Sequence, residues 1–270
     1  MMAAAHGRFL GRTCLITGST GMAASAASAI AAEGGTVFVV SRTAGHALTL
    51  ADAIVAAGGR AVGFAADVTS EAEVQRAFDT CVERCGRLDG VFSAAGISGR
   101  RYGDGPLDSA TLEGWETVLQ ANATSQFLVC RAAIRVMLAQ APDVHGERGA
   151  VLTMSSTLAT HPAPGHFATH GYAATKGAIE AMTRAAAAYY APQRIRLNAV
   201  APALVATPMS VRAQSDPVIR AYLAEKQPLA GGPLEADAVT PAVLYLLSSE
   251  ARLVTGQVLT VDGGWSVSEG

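Results

Sequence analysis

The chain predicts one α/β domain built as a doubly wound parallel sheet with helices on both faces, and three observations carry that prediction. Short β-branched runs alternate with longer stretches of helical composition. Seven such runs occur, enough for one wide sheet. No linker, charge block or repeat divides the 270 residues, a length that suits one large domain better than two.

The strand-like runs are Thr13–Thr17, Val37–Ser41, Ala61–Ala65, Gly90–Ala94, Ala150–Ser155, Ile195–Val200 and Gln257–Val261. Between them, alanine-rich or amphipathic stretches predict helices over Met22–Glu33, Ala44–Ala57, Glu71–Cys85, Leu112–Ala139, Tyr172–Tyr190 and Ala236–Ser248. Helices of this length between strands imply right-handed crossovers and a parallel sheet. Ligands of such sheets bind beyond the carboxyl ends of the strands. The residues just after each strand therefore carry the functional reading.

Half of the residues are hydrophobic and 16% are charged, so a large core can form. Twenty basic residues against twenty-two acidic ones, with no basic stripe, argue against a nucleic-acid partner. The stretch Met1–Arg12 has no apolar core followed by a cleavage site, and no segment reaches membrane-spanning length. Cys14, Cys81, Cys85 and Cys130 lack metal-ligand spacing, and without an export signal they read as reduced, mostly apolar thiols. These features predict a cytoplasmic protein with no membrane association.

After the first strand comes Gly18–Ser19–Thr20–Gly21–Met22, leading into an alanine-rich helix. A glycine turn at this place lets a pyrophosphate approach the backbone and meet the positive end of the helix. The second strand ends at Ser41–Arg42. An acidic residue there would accept from ribose hydroxyls, whereas an arginine offers a planar fork of donors to a 2′-phosphate. NADP(H) is therefore preferred, with NAD(H) the alternative should Arg42 be merely solvated. Asp67–Val68 follows the third strand, where a carboxylate can meet an adenine amino group or serve as a helix cap.

Tyr172 and Lys176 lie four apart at the start of a predicted helix and so share a face. An ammonium near a phenol favours phenolate, which suits proton exchange with an alcohol or ketone oxygen. Ser156 follows the fifth strand and can hydrogen-bond that oxygen, with Ser155 a rival. Asn122 sits inside a long predicted helix, an unusual place for an amide unless it is specifically bonded. Asn198–Pro202 ends the sixth strand and leads through Val205 to Thr207 and Pro208, placed for a nicotinamide amide.

Taken in order, these segments resemble the short-chain dehydrogenase/reductase family, from about Gly11 to Trp265. Ile16–Gly18, Asp67–Thr69, Ala94–Ala95–Gly96, Asn122, Ser156, Tyr172–Lys176, Asn198–Pro202, Val254–Val258 and Val261–Gly264 carry the resemblance. It implies a single Rossmann-type domain that interconverts a carbonyl and an alcohol by hydride transfer, with Ala94–Gly96 beside the cofactor. Tyr172 would be the acid/base, and Lys176 would lower its pKa while binding ribose. Ser156 would orient the carbonyl, and Asn122 would hold a water in the proton relay. The resemblance further implies a homotetramer or homodimer pairing the helices around Asn122 and after Tyr172, and a substrate lid over about 207–235 with Tyr222 and Leu223 in it.

Three features depart from the family pattern. The glycine loop is Gly18-x-x-Gly21-x-x-Ala24, tighter than the compact branch and with Ala24 where close helix–strand packing is expected. That spacing keeps open a nicotinamide-bound lyase or epimerase. A non-catalytic NADP-binding sensor would have no need of all four candidate residues. The loop before Tyr172 is lengthened and carries His161, His166 and His170, but no carboxylate or cysteine accompanies them, so no metal is expected. Ser98–Gly105, with Arg100 and Arg101, is expected to be a solvated or interface loop, although paired arginines can also meet an anionic group.

Overall fold

Seven strands form one sheet in the order β3-β2-β1-β4-β5-β6-β7, each neighbouring pair parallel. The computed structural model describes residues 7–268; residues 1–6, part of the stretch read for a leader, and 269–270 lie outside the described residues. The strands are β1 (Thr13–Thr17), β2 (Thr36–Ser41), β3 (Arg60–Ala65), β4 (Gly90–Ser93), β5 (Gly149–Met154), β6 (Ile195–Pro202) and β7 (Val258–Val261). All seven predicted strands form, with ends shifted by a residue or two. β4 stops short because the N–H groups of Ala94 and Ala95 turn to the Thr17 hydroxyl, at 3.0 and 3.1 Å. β6 runs two residues further, since Ala201 and Pro202 still pair with Thr260 and Val261.

Alternation along the strands sorts apolar side chains into two layers. On β2, Val37 and Val39 join one cluster, while Phe38 and Val40 join the other. The first layer packs against α1 (Gly21–Ala32), α2 (Ala44–Ala56) and α9 (Thr240–Leu247). The second packs against α3 (Glu71–Cys85), α5 (Ser125–Ala139) and α6 (His170–Tyr190). Helix α1 buries Ala23, Ala26, Ala27, Ile30 and Ala31, the three-and-four spacing of one helical face, and its small side chains let it lie close to the sheet. Burying a Phe, Leu or Ile contributes roughly 1.5–3 kcal/mol, whereas a partly exposed ion pair contributes about 0–1 kcal/mol. The two apolar layers thus outweigh pairs such as Arg131–Glu71.

The helix predicted over Leu112–Ala139 is interrupted. It runs as α4 (Leu112–Val118), a π-helical turn at Leu119–Thr124, then α5. The widened turn contains Asn122, whose side chain is bonded outside the helix. Between β6 and α9 the chain makes an excursion containing two helices that the sequence reading did not separate, α7 (Val211–Ser215) and α8 (Pro217–Lys226). Asp216 starts α8 by accepting from Val218 and Ile219, with Pro217 in the first turn where its missing N–H is harmless. A bridge between Val205 and Leu234 closes the base of this excursion. Its apolar underside, Ala213, Ile219 and Leu223, packs with Ala163 and Trp265 into a third, smaller core.

Candidate active site

At the end of β1, Gly18 (φ +103°) and Gly21 (φ +54°) occupy the left-handed region that favours glycine. A Cβ on Gly21 would lie 2.8 Å from Thr207 Cγ2, so glycine here lets the loops after β1 and β6 touch. Thr20 caps α1 by backbone conformation alone, leaving the first-turn N–H groups without a side-chain partner. Ala24 is only half-buried, whereas Ala23 is buried and would meet a Cβ on Gly18 at 3.1 Å. The close packing expected at Ala24 therefore falls to Ala23. Met22 packs against the first core layer.

Ser19 donates to Ser41 Oγ at 3.2 Å, tying the glycine loop to the end of β2, and Arg42 beside it is exposed. The Asp67 carboxylate accepts from both the N–H and the hydroxyl of Thr69, at 2.9 and 2.7 Å. Burial pushes that carboxyl up, but the Thr69 bonds and the charge of Arg42 outweigh it and hold it below its ordinary value. Ser70, not Asp67, caps α3. Val68 packs on the second core layer.

Beyond β4, the Thr17 hydroxyl braces Ala94 and Ala95 by accepting from both N–H groups. The next bracket is Asn122, fully buried. Its amide oxygen accepts from the Ile97 N–H at 2.8 Å, and its nitrogen donates to the Ile97 carbonyl at 3.1 Å and to Thr175 Oγ1 at 3.4 Å. Gly96 must lack a side chain here, since a Cβ would stand 2.7 Å from the Asn122 oxygen and 3.9 Å from Lys176 Nζ.

Lys176, one residue past Thr175, is buried and donates to the Met154 carbonyl at 2.8 Å. Its Nζ lies 5.3 Å from the centre of the Tyr172 ring. The two serines separate cleanly. Ser155 donates to the buried carboxylate of Glu180 at 2.8 Å, while the Ser156 hydroxyl accepts from the Leu158 N–H at 3.3 Å and opposes the upward push that burial exerts on the Tyr172 phenol. Asn122, Ser156, Tyr172 and Lys176 thus converge where the ends of β4 and β5 meet the start of α6.

The expected electrostatics need correction. Burial pushes the Tyr172 phenol above its ordinary value, and the opposing pull comes from Ser156 rather than Lys176. Burial also pushes the Lys176 ammonium down, to about 7. Desolvation disfavours phenolate and ammonium alike, and the ammonium turns to a carbonyl. A phenol kept protonated is a proton donor.

From the β6 side, the Pro202 carbonyl accepts from the Thr157 hydroxyl at 3.5 Å, and Val205 is buried. Thr207 caps the Pro208–Ser210 turn in a reciprocal box with Ser210. The three histidines are engaged separately. His161 bonds Thr160, His166 stacks 4.6 Å from Tyr222, and His170 opens α6 exposed to solvent. Leu223 is buried in the third core, and Tyr222 packs against it.

The sequence reading missed Asp104. Its loop was expected to be solvated, and Arg100–Tyr102 are indeed exposed, but Asp104 is buried. Its two oxygens accept from the N–H groups of Gly171 and Tyr172, each at 2.8 Å, so a carboxylate from another loop caps the helix carrying the phenol. An aspartate among loop glycines gives no sequence signal of this, because the helix it caps starts more than sixty residues later.

A family model described as enoyl-(acyl carrier protein) reductase matches residues 16–266. Cyclopentanol dehydrogenase of Comamonas sp. is 34% identical over 266 residues, covering 97% of this chain and 100% of its own length. The fold is similar to that of gluconate 5-dehydrogenase from Burkholderia cenocepacia, solved with NADP and tartrate, with a TM-score of 0.87, 29% identity and coverage of 97% and 98% of the two chains. It is also similar to 3-ketoacyl-(acyl-carrier-protein) reductase from Brucella melitensis, solved with NADH, with a TM-score of 0.84, 28% identity and coverage of 96% and 99%.

Asp104→Ala leaves two buried N–H groups unpaired, and about 1–3 kcal/mol of stability should be lost, together with turnover. Asp104→Asn, which keeps one acceptor, should fall between. Urea unfolding and steady-state kinetics measure both effects, and a wild-type kcat in the alanine variant would show that the cap does not position Tyr172.

Proposed function

The chain belongs to the short-chain dehydrogenase/reductase family, and from that membership we propose an NADP-preferring oxidoreductase that interconverts a ketone or aldehyde with an alcohol. The observation that carries the proposal is the buried Tyr172 phenol, with Lys176 Nζ 5.3 Å from its ring and Ser156 pulling its pKa down, at the sheet end that bears the glycine loop. The nicotinamide cofactor, when bound, supplies the hydride chemistry. The uncapped first turn of α1 and the side-chain-free approach at Gly21 fit a pyrophosphate, which Gly18, Ser19, Thr20, Gly21 and Met22 would hold. Ser41 and Arg42 would hold the adenosine ribose end, and Asp67 and Val68 the adenine. Ala94, Ala95, Gly96, Tyr172 and Lys176 would line the nicotinamide ribose, with Pro202, Val205 and Thr207 beside the nicotinamide.

In reduction, Tyr172 gives its proton to the substrate oxygen, and in oxidation it takes that proton back. Ser156 donates a hydrogen bond to the same oxygen and holds it in line. Lys176, fixed on the Met154 carbonyl, binds ribose, and Asn122 keeps the β4 exit and α6 in register around them. The excursion over 207–235 acts as a lid, a reading supported by its own apolar underside.

NADP preference is supported by the neutral Ser41 and by the exposed guanidinium of Arg42, which among the described residues makes no ion pair. The helices bearing Asn122 and Tyr172 form the proposed homotetramer or homodimer interface. A shallow apolar hollow lined by Ala123, Phe127, Ile179 and Met182, with exposed Ala185 and Ala188 further along α6, supports that assembly. Among the described residues no helix is long and apolar enough to cross a membrane, and the four cysteines are unpaired, which supports the cytoplasm as its compartment.

Tyr172→Phe should lower turnover of NADPH with a ketone by about 10²–10⁴-fold while leaving cofactor binding in place. Retained turnover would remove Tyr172 from the acid/base role. Arg42→Ala should weaken NADPH about tenfold and leave NADH nearly unchanged in fluorescence titrations, and equal losses for both would defeat the phosphate assignment. Light scattering should report an oligomer at working concentration, and a monomer would remove the proposed interface.

A further inference from the structure

We propose that Arg100 and Arg212 form an anion-binding pair at the rim made by loops at the carboxyl end of the sheet, and that the substrate carries a carboxylate on an apolar body. The proposal deepens, and rests on, the carbonyl–alcohol reading above. Three loops at the carboxyl end of the sheet meet at this rim. Arg100 follows β4, His166 belongs to the loop after β5, and Arg212 lies in the excursion after β6.

One Nη2 of Arg100 donates to the His166 carbonyl at 3.2 Å, and one Nη2 of Arg212 donates to the same oxygen at 3.1 Å. The two nitrogens are therefore no farther apart than the sum of those distances. Two like charges at such separation repel, and a single carbonyl dipole is a weak partner for both. Among the described residues neither guanidinium has a carboxylate within ion-pair distance. Asp216 is an opposing charge that Arg212 feels, yet its Oδ1 accepts from the Val218 and Ile219 N–H groups at the start of α8. Burial and the charge of Arg100 both push the Arg212 guanidinium down. Each side chain keeps N–H donors beyond the one given to His166. A carboxylate between them would accept from both forks and cancel the repulsion.

The pair is not the one visible in the sequence. Arg101 lies over its neighbour Tyr102, 5.2 Å from the ring centre, and takes no part. The apolar half of the recognition lies beneath Arg212, whose guanidinium sits 5.9 Å from the Phe167 ring. The His166 ring stacks on Tyr222, and Tyr222 meets Trp265 edge-on at 5.8 Å. Tyr222 and Phe167 form the partly buried edge of the third core, which continues to Leu158, two residues past Ser156, and to Ala203, next to Pro202. A substrate lying along it would reach from the arginine rim toward the phenol. The other physical reading is that the arginines only strap the lid to the His166 loop, in which case their loss changes lid stability without changing charge preference.

Calorimetric titration of the NADPH-loaded full chain decides between them. The probes are 4-oxopentanoate and 4-oxocyclohexanecarboxylate, each against its own carboxamide. At least one acid should bind about tenfold or more tighter than its amide, the scale of charge-assisted hydrogen bonds, and the preference should shrink as salt rises. Arg100→Gln and Arg212→Gln should each reduce the preference, and the double variant should bring acid and amide within about twofold. Unchanged NADPH affinity in the variants certifies their fold. Equal affinity for acid and amide in the wild-type chain, including no binding of any probe, overturns the proposal, as does a preference that survives in the double variant. Turnover is scored separately by nicotinamide absorbance. Acid preference without turnover of any probe would count against the hydride-transfer reading and leave the anion site standing.

Discussion

One amide ties the site together. Asn122 accepts from Ile97, donates back to Ile97 and reaches Thr175, so the exit of β4, the middle of a long helix and the face of α6 share one buried side chain. The helix that carries it widens there into a π-helical turn at Leu119–Thr124. The same bracket requires Gly96 to carry no side chain and sets Lys176 next to it. A buried amide left half-bonded is costly, so these consequences follow together.

Around this bracket, burial rather than pairing governs the charges. The phenol is driven up and the ammonium down because both lose water, and each finds a neutral partner, Ser156 or the Met154 carbonyl. The same force pushes the thiols of Cys14 and Cys130 to about 12, which makes them inert apolar fillers, as their place in the sequence suggests. The rim behaves differently. There Arg100 and Arg212 keep partial contact with water, and like charge is held beside like charge across a single carbonyl.

Much of the fold was legible because it is written in local periods. Val37 to Val40 alternate between layers as a buried parallel strand must, and Ala23, Ala26, Ala27 and Ile30 repeat as one helical face. The four-residue step from Tyr172 to Lys176 is likewise local, so their shared face could be read directly. Ser156 could be preferred to Ser155 by strand alignment, but only the contact of Ser155 with Glu180, from α6, explains why the two hydroxyls diverge. Ala23 rather than Ala24 meets Gly18, because adjacent helix positions point about 100° apart and the loop after β1 sets which of them faces it.

The sequence by itself determined the doubly wound sheet, the glycine turn after β1 and the residue types of the candidate site, since each depends on neighbours within a few positions. Only the tertiary structure decided which groups meet across loops. Asp104 caps a helix that begins beyond residue 169, Thr17 braces the β4 exit, and Arg100 pairs with Arg212 rather than with Arg101. A hydrogen bond is short-ranged in space but indifferent to separation along the chain. Contacts made by irregular segments therefore leave no period in the sequence.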